Sequence, residues 1–138
     1  MTIYRQTAPP KPSRPRRRSI GDANAGIVYR GGWQAARHTA YSGDTVRYAA
    51  RPGASAGLTF VGRSITWIGP KGPTRGRARV YLDGRLVRTV DLRAAGFQGR
   101  AIVFGHAWRR PGRHTIRIVV LGTPGRPMVA IDEFVVRS

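Results

Sequence analysis

Residues 77–92 read RARVYLDGRLVRTVDL, and they decide the fold class. Ala78, Val80 and Leu82 alternate with Arg77, Arg79 and Tyr81, the period of two by which a strand separates a buried face from a solvated one. Asp83-Gly84 follows. Both residues tolerate positive φ, which makes the pair the strongest short signal for a two-residue hairpin turn. RLVRTVDL supplies the return strand. The pattern continues in both directions: IVYRGGW (27–33), TVRYAA (45–50), GLTFVG (57–62), SITWIG (64–69), AIVFGHA (101–107), HTIRIVV (114–120) and MVAIDEFVV (128–136) are short, rich in β-branched and aromatic residues, and bounded by Gly, Pro or Asp. No segment carries a 3.6-residue period of helical length, although residues 93–99 leave room for one turn. The expected fold is all-β, an antiparallel two-sheet β-sandwich, jelly-roll-like, over residues 21–138.

Charge sets the second expectation. The 138 residues hold 25 basic and 6 acidic side chains, a formal charge of +19, and Lys11 and Lys71 are the only lysines. Residues 1–20 contain four of the ten prolines and six basic residues, Arg5, Lys11, Arg14, Arg16, Arg17 and Arg18, with no acid. Prolines deny this stretch helix and ladder hydrogen bonds and its charges repel, so it is expected to be an extended basic arm that contacts a partner. The remainder is still strongly basic. Such a field favours polyanions: nucleic acid, acidic glycans, anionic membranes or the acidic face of another protein. The alternative is a solvated, Arg-rich surface with no partner. The chain has no cysteine, which excludes disulfides and thiolate chemistry. No run of about 18 apolar residues is present to span a membrane. MTIYRQTAPPKPSRPRRRS lacks the apolar core of a signal peptide, so no signal peptide is expected in this chain.

The loop GPKGPTRG (69–76) invites comparison with a phosphate-binding loop, but Lys71 follows a proline and the segment leads into a strand, without the helix that such a loop requires. Lys71, Arg75, Arg77 and Arg79 are instead expected to form an exposed basic patch. No catalytic constellation is legible. Asp132 and Glu133 are neighbours on an expected strand and should face opposite sides, and no GxSxG elbow occurs. His38, His106 and His114 lack metal-ligand spacing, and His114, in phase with Ile116 and Ile118, reads as a hydrogen-bonded structural residue. An enzyme is not expected, and no catalytic residue, metal ligand or cofactor is assigned. Among the aromatics, most of which a sandwich core should absorb, Tyr81 and Trp108 are the candidates for glycan contact. Tyr81 shares a face with Arg77 and Arg79, and Trp108 falls in an expected loop beside Arg109 and Arg110.

WIGPKGPTRGRARVYLDGRLVRTVDL (67–92) and GRHTIRIVVLGTPGRPMVAIDEFVV (112–136) together resemble a β-sandwich domain of actinobacterial proteins that is similar to galactose-binding-like and carbohydrate-binding modules. The matching motifs are Trp67-Ile68-Gly69, Tyr81 with Asp83-Gly84, Gly112 with His114-Thr115, and Ile131-Asp132 with Phe134. The resemblance implies a binding module, with a structural calcium near the first and last strands to which Asp132 would contribute, although IVYRGGWQ offers no acidic partner. Three functions fit the sequence. The leading one is a structural subunit of a larger assembly, such as a phage virion decoration or attachment protein. There the arm would be anchored on an acidic protein surface or on copies of the same chain. The second is a carbohydrate-binding module of a bacterial envelope protein, which takes surface glycans. The third is a non-specific nucleic-acid binder that acts through phosphate contacts. The first places the chain in a virion or other extracellular assembly.

Overall fold

A computed structural model describes residues 16–38 and 45–138. These form ten strands and no helix: β1 (Arg17–Gly21), β2 (Ile27–Arg30), β3 (Gln34–Arg37), β4 (Thr45–Ala49), β5 (Ser55–Lys71), β6 (Arg77–Leu82), β7 (Arg85–Asp91), β8 (Gln98–Val120), β9 (Val129–Ile131) and β10 (Glu133–Arg137). A seven-stranded sheet has the order β1-β10-β5-β8-β6-β7, with β2 also paired to β5, and a three-stranded sheet has the order β3-β4-β9. All strand pairs within the sheets are antiparallel. The architecture is the expected all-β sandwich.

The β6–β7 hairpin forms as its sequence dictates. Ala78, Val80 and Leu82 are buried while Arg77 and Arg79 are exposed. Asp83 and Gly84 take φ of 51° and 81°, the left-handed values that a two-residue turn needs. On β8, Ile116, Ile118 and Val120 turn inward against them and Arg117 outward.

GLTFVG and SITWIG, expected as two strands, are one strand, β5, and AIVFGHA and HTIRIVV are both parts of β8. Along the β5–β8 ladder Gly62 stands opposite Gly112 and Ser64 opposite Ala107, so residues 108–111 on β8 face Arg63 alone. A bulge of this size bends the ribbon without ending it. The bend returns the first half of β8 over the hairpin. Arg88 on β7 lies 5.7 Å from the centre of the Phe104 ring, although β6 separates β7 from β8 in the sheet order. Between the folded halves sits one apolar core that includes Trp67, Phe134, Ile65, Ile116, Ile118 and Ile131, all fully buried.

Gly62 is held to glycine by this bend. A Cβ there would lie 2.6 Å from Val136 Cγ1 and 2.8 Å from the Arg137 carbonyl oxygen. Conversely, the expected strand MVAIDEFVV divides at Asp132 into β9, in the small sheet, and β10, in the large one. Arg17–Ile20, read from composition as part of the arm, belong to β1 and pair with Val135–Arg137 and Phe134 of β10.

Candidate functional site

Three places gather polar and aromatic groups. The first is a buried carboxylate corner where β1, β9 and β10 meet. Asp22, Asp132 and Glu133 are each at most 2% exposed. The Asp22 amide donates to the Asp132 carbonyl at 2.9 Å, and the Thr45 hydroxyl donates to Asp22 Oδ1 at 2.7 Å. Arg47 Nε stands 3.7 Å from Asp22, and Arg100 reaches both Asp132 at 3.8 Å and Glu133 at 3.4 Å. Arg17 approaches Glu133 at 3.5 Å, while the Ser19 hydroxyl donates to it at 2.9 Å. Asp132 and Glu133 therefore share one arginine, contrary to the expectation that they face opposite ways, because the chain changes sheets at Asp132 and the alternation breaks there. Tyr29 donates its hydroxyl to the Asp22 carbonyl at 2.7 Å, and burial pushes that phenol well above its ordinary range.

The calcium implied by the resemblance does not fit these residues. A calcium ion needs about six to eight oxygen ligands. Here a guanidinium already meets each of the three carboxylates, and among the described residues no group of three His, Asp or Glu side chains is disposed to hold a metal.

The second place is an aromatic cluster at the bend. Trp108 stacks on His114, with ring centres 3.7 Å apart and planes within 5° of parallel. His106 meets Trp108 edge-on at 4.6 Å, and Phe60 lies 6.0 Å from both Trp108 and His114. The bulge aims Trp108 here, so the expected loop residue belongs to β8 and is half-buried. Asp83, in the hairpin turn, clamps the cluster. Its Oδ2 is 2.7 Å from His114 Nδ1, and its Oδ1 accepts the Thr115 amide at 2.9 Å. The hydrogen bond from His114, followed by the one from Thr115, holds the Asp83 carboxyl below its usual range. The result is a partly exposed aromatic face with imidazoles and a carboxylate at its rim.

The third place is a groove of about 320 Å³ lined by Arg16, Arg17, Arg18, Val61, Val136 and Ser138. Gly62, packed on Val136, pairs with Gly112, against which the His114 ring lies, so the groove and the aromatic cluster flank the same bend.

Of the residues singled out from sequence, Arg5, Lys11 and Arg14 lie outside the described residues. Arg16, Arg17 and Arg18 come together in the groove. The expected basic patch is divided. Arg75 is buried instead of exposed, Arg77 is drawn to Asp91 at 3.4 Å, Lys71 ends β5, and only Arg79 stands free on the outer face. Gly76 forces this arrangement. A Cβ there would collide with the Arg126 carbonyl, so the loop packs inward against residues 123–126. Arg126 donates both to the Arg75 carbonyl and to Asp91, whose carboxyl it holds down to about 2. Tyr81 sits on the outer face, half-buried, with the Arg117 guanidinium 5.7 Å from its ring centre. Tyr81 and Trp108 do not share a site.

The sequence reading missed Phe60 and His106 as neighbours of Trp108, and Asp83 as more than a turn residue. The one signal for the cluster was the pair of glycines, Gly62 and Gly112, interrupting strand-like runs, which marks a bulge.

No protein-family model matches the chain. Two curated proteins of Flavonifractor plautii are similar to it. The A type blood alpha-D-galactosamine galactosaminidase is 36% identical over 101 residues, covering 73% of this chain and 9% of that protein. The A type blood N-acetyl-alpha-D-galactosamine deacetylase is 33% identical over 115 residues, covering 83% of this chain and 14% of that protein. The chain thus spans only a small part of the length of these relatives. Among solved structures, a family two carbohydrate esterase from Cellvibrio japonicus has a TM-score of 0.68 at 15% identity, covering 91% of this chain and 34% of the esterase chain. The CBM36-1 domain of a multidomain xylanase from the hindgut metagenome of Trinervitermes trinervoides has a TM-score of 0.53 at 12% identity, covering 88% and 96%.

The fold is a β-sandwich like that of the CBM36-1 domain and of part of the esterase chain, in keeping with the sequence motifs. The exclusion of enzymes is corrected by the same comparisons. Both curated relatives and the esterase are named as enzymes acting on carbohydrates, and this chain is similar to a segment of each.

Proposed function

We propose that this chain is a carbohydrate-binding domain of the kind that accompanies carbohydrate-active enzymes, and that Trp108 presents the sugar-contacting surface. The observation that carries the reading is the stacked, partly exposed Trp108–His114 pair, fixed from below by Phe60 and from the side by Asp83. A flat apolar face ringed by hydrogen-bonding groups matches a sugar ring, which has an apolar C–H face and a polar edge. A preformed stack also loses little side-chain entropy on binding. The assembly-subunit reading gives way to this one, which the carbohydrate-acting and carbohydrate-binding names of the relatives and structures above support.

The relatives' names put galactosamine- and N-acetylgalactosamine-terminated glycans first on the panel to be titrated. Trp108→Ala is expected to weaken the glycan that binds by about tenfold, the loss of one well-placed aromatic contact. Circular dichroism checks that the variant is folded. Undiminished binding by the folded variant would move the site elsewhere, and no binding of any glycan by the wild-type chain would overturn the reading.

A further inference from the structure

We infer that the groove beside the aromatic cluster binds the acidic group of a glycan, a uronate carboxylate or a sulfate ester, next to the sugar held by Trp108. The inference rests on the carbohydrate reading and adds the chemistry of the ligand. Five carboxylates lie among the described residues, and all are engaged internally: Asp22 by Arg47 and Thr45, Asp83 by His114, Asp91 by Arg77 and Arg126, Asp132 by Arg100, and Glu133 by Arg100, Arg17 and Ser19. None of them, nor the Ser138 terminus, forms an ion pair with Arg16, Arg18, Arg63, Arg113 or Arg137. Arg16 and Arg18 line the groove, and the other three lie on the strands that meet at the bend. Arg17 stands directly opposite Arg137 on the β1–β10 ladder, Arg137 opposite Ser64, and Arg113 opposite Val61, with Arg63 at the bulge between them.

Like charges held close together repel. Arg16, Arg17 and Arg18 follow one another along the wall of the groove, where an anion would offset that repulsion. Guanidinium groups suit carboxylate and sulfate oxygens because their donors are arranged as a planar fork. The floor gives the second half of the match. Val61 is 61% exposed between the arginines and offers an apolar surface to a ring's C–H face. A nucleic-acid strand would call for aromatic platforms under successive bases, and no aromatic side chain lines this groove. The observations therefore favour an acidic saccharide.

The test is calorimetric titration of the full chain at near-physiological salt with four ligands. These are an oligogalacturonate, a sulfated oligosaccharide, an uncharged oligosaccharide of equal length and a DNA oligonucleotide. Each is repeated with Arg16→Gln/Arg18→Gln and with a control of equal charge loss, Arg51→Gln/Arg93→Gln. One of the two acidic sugars is expected to bind most tightly, which identifies the anion as carboxylate or sulfate. The groove variant should weaken it by about tenfold or more and the control by about twofold at most. Val61→Asp, at an exposed position, should weaken the acidic ligand and spare the uncharged one. Equal losses in the groove and control variants, or tightest binding to DNA, would overturn the inference. Uncharged sugar bound as well as acidic sugar would also overturn it while leaving the carbohydrate reading intact. Absence of binding to every sugar would sink both.

Discussion

The two ends of the short β1–β10 ladder use the same residue type in opposite ways. At one end, next to Glu133, arginines are the counterions of a buried acidic corner, and Arg100, half exposed itself, serves two carboxylates that are at most 2% exposed. At the other end, Arg16 and Arg18 line a groove and, like Arg137 on β10, meet no carboxylate among the described residues. The first set is structural because removing it would leave charge buried. The second is available to a ligand because nothing inside the molecule needs it. Net charge alone cannot make this distinction. It depends on where the acids are placed, and each of the five among the described residues is engaged by partners other than Arg16, Arg18 and Arg137.

Phe134 sits between the two ends and is fully buried opposite Trp67. Phe134→Ala should cost about 3–5 kcal/mol in denaturant unfolding, since it removes a large ring and leaves a cavity. A loss below about 1 kcal/mol would mean that the two halves of the bent ribbon do not pack through this residue. The sharper contrast is between arginines. Arg100→Ala takes a counterion from two buried carboxylates and is expected to destabilise by about 2–3 kcal/mol, the lower part of the range for a broken buried pair, because Arg100 is half solvated and Glu133 keeps Arg17 and Ser19. Arg137→Ala, which relieves a cross-strand repulsion, should change stability by less than about 0.5 kcal/mol in either direction. Equal costs for the two would erase the distinction between the ends.

Acid titration probes a third region, the open end of the hairpin. Arg126 holds the Asp91 carboxyl down to about 2, below its ordinary value near 3.9. Asp91 is therefore charged in the folded chain where it would be protonated in the unfolded one. It contributes stability that is complete above about pH 4 and is lost as the pH falls towards 2. Asp91→Asn should flatten the decline of thermal stability across that window, and an unchanged decline would assign the acid sensitivity to other groups. The smallest expected effect is on metal dependence. With guanidinium groups already seated at Asp22, Asp132 and Glu133, neither a chelator nor added calcium should move the melting temperature. A calcium-induced rise of several degrees would show that the arginines yield to a cation.

Much of the fold was legible because its causes are local. The inward set Ala78, Val80 and Leu82, the Asp83-Gly84 turn, and the inward Ile116, Ile118 and Val120 follow from side-chain alternation and backbone φ, both written within a few residues. β1 was illegible for the converse reason. Its sequence, RRSIG, has a single apolar residue, and its ladder bonds come from backbone groups of β10 more than a hundred residues away. The site divides in the same way. Trp108 and Tyr81 could be marked as candidates from residue type, but only the bend places Trp108 on His114 and leaves Tyr81 on the opposite face.

An all-β chain, a hairpin at 77–91, a strongly cationic surface and a likeness to carbohydrate-binding modules can be read from the order of residues. Which arginines are counterions and which line a groove, how Asp132 and Glu133 come to share Arg100, and where Trp108 points follow only from the packed sheets. The physical reason is range. Turn chemistry and strand period act between neighbours, whereas charge pairing and ring stacking depend on contacts made across a bent sheet by residues distant in the chain.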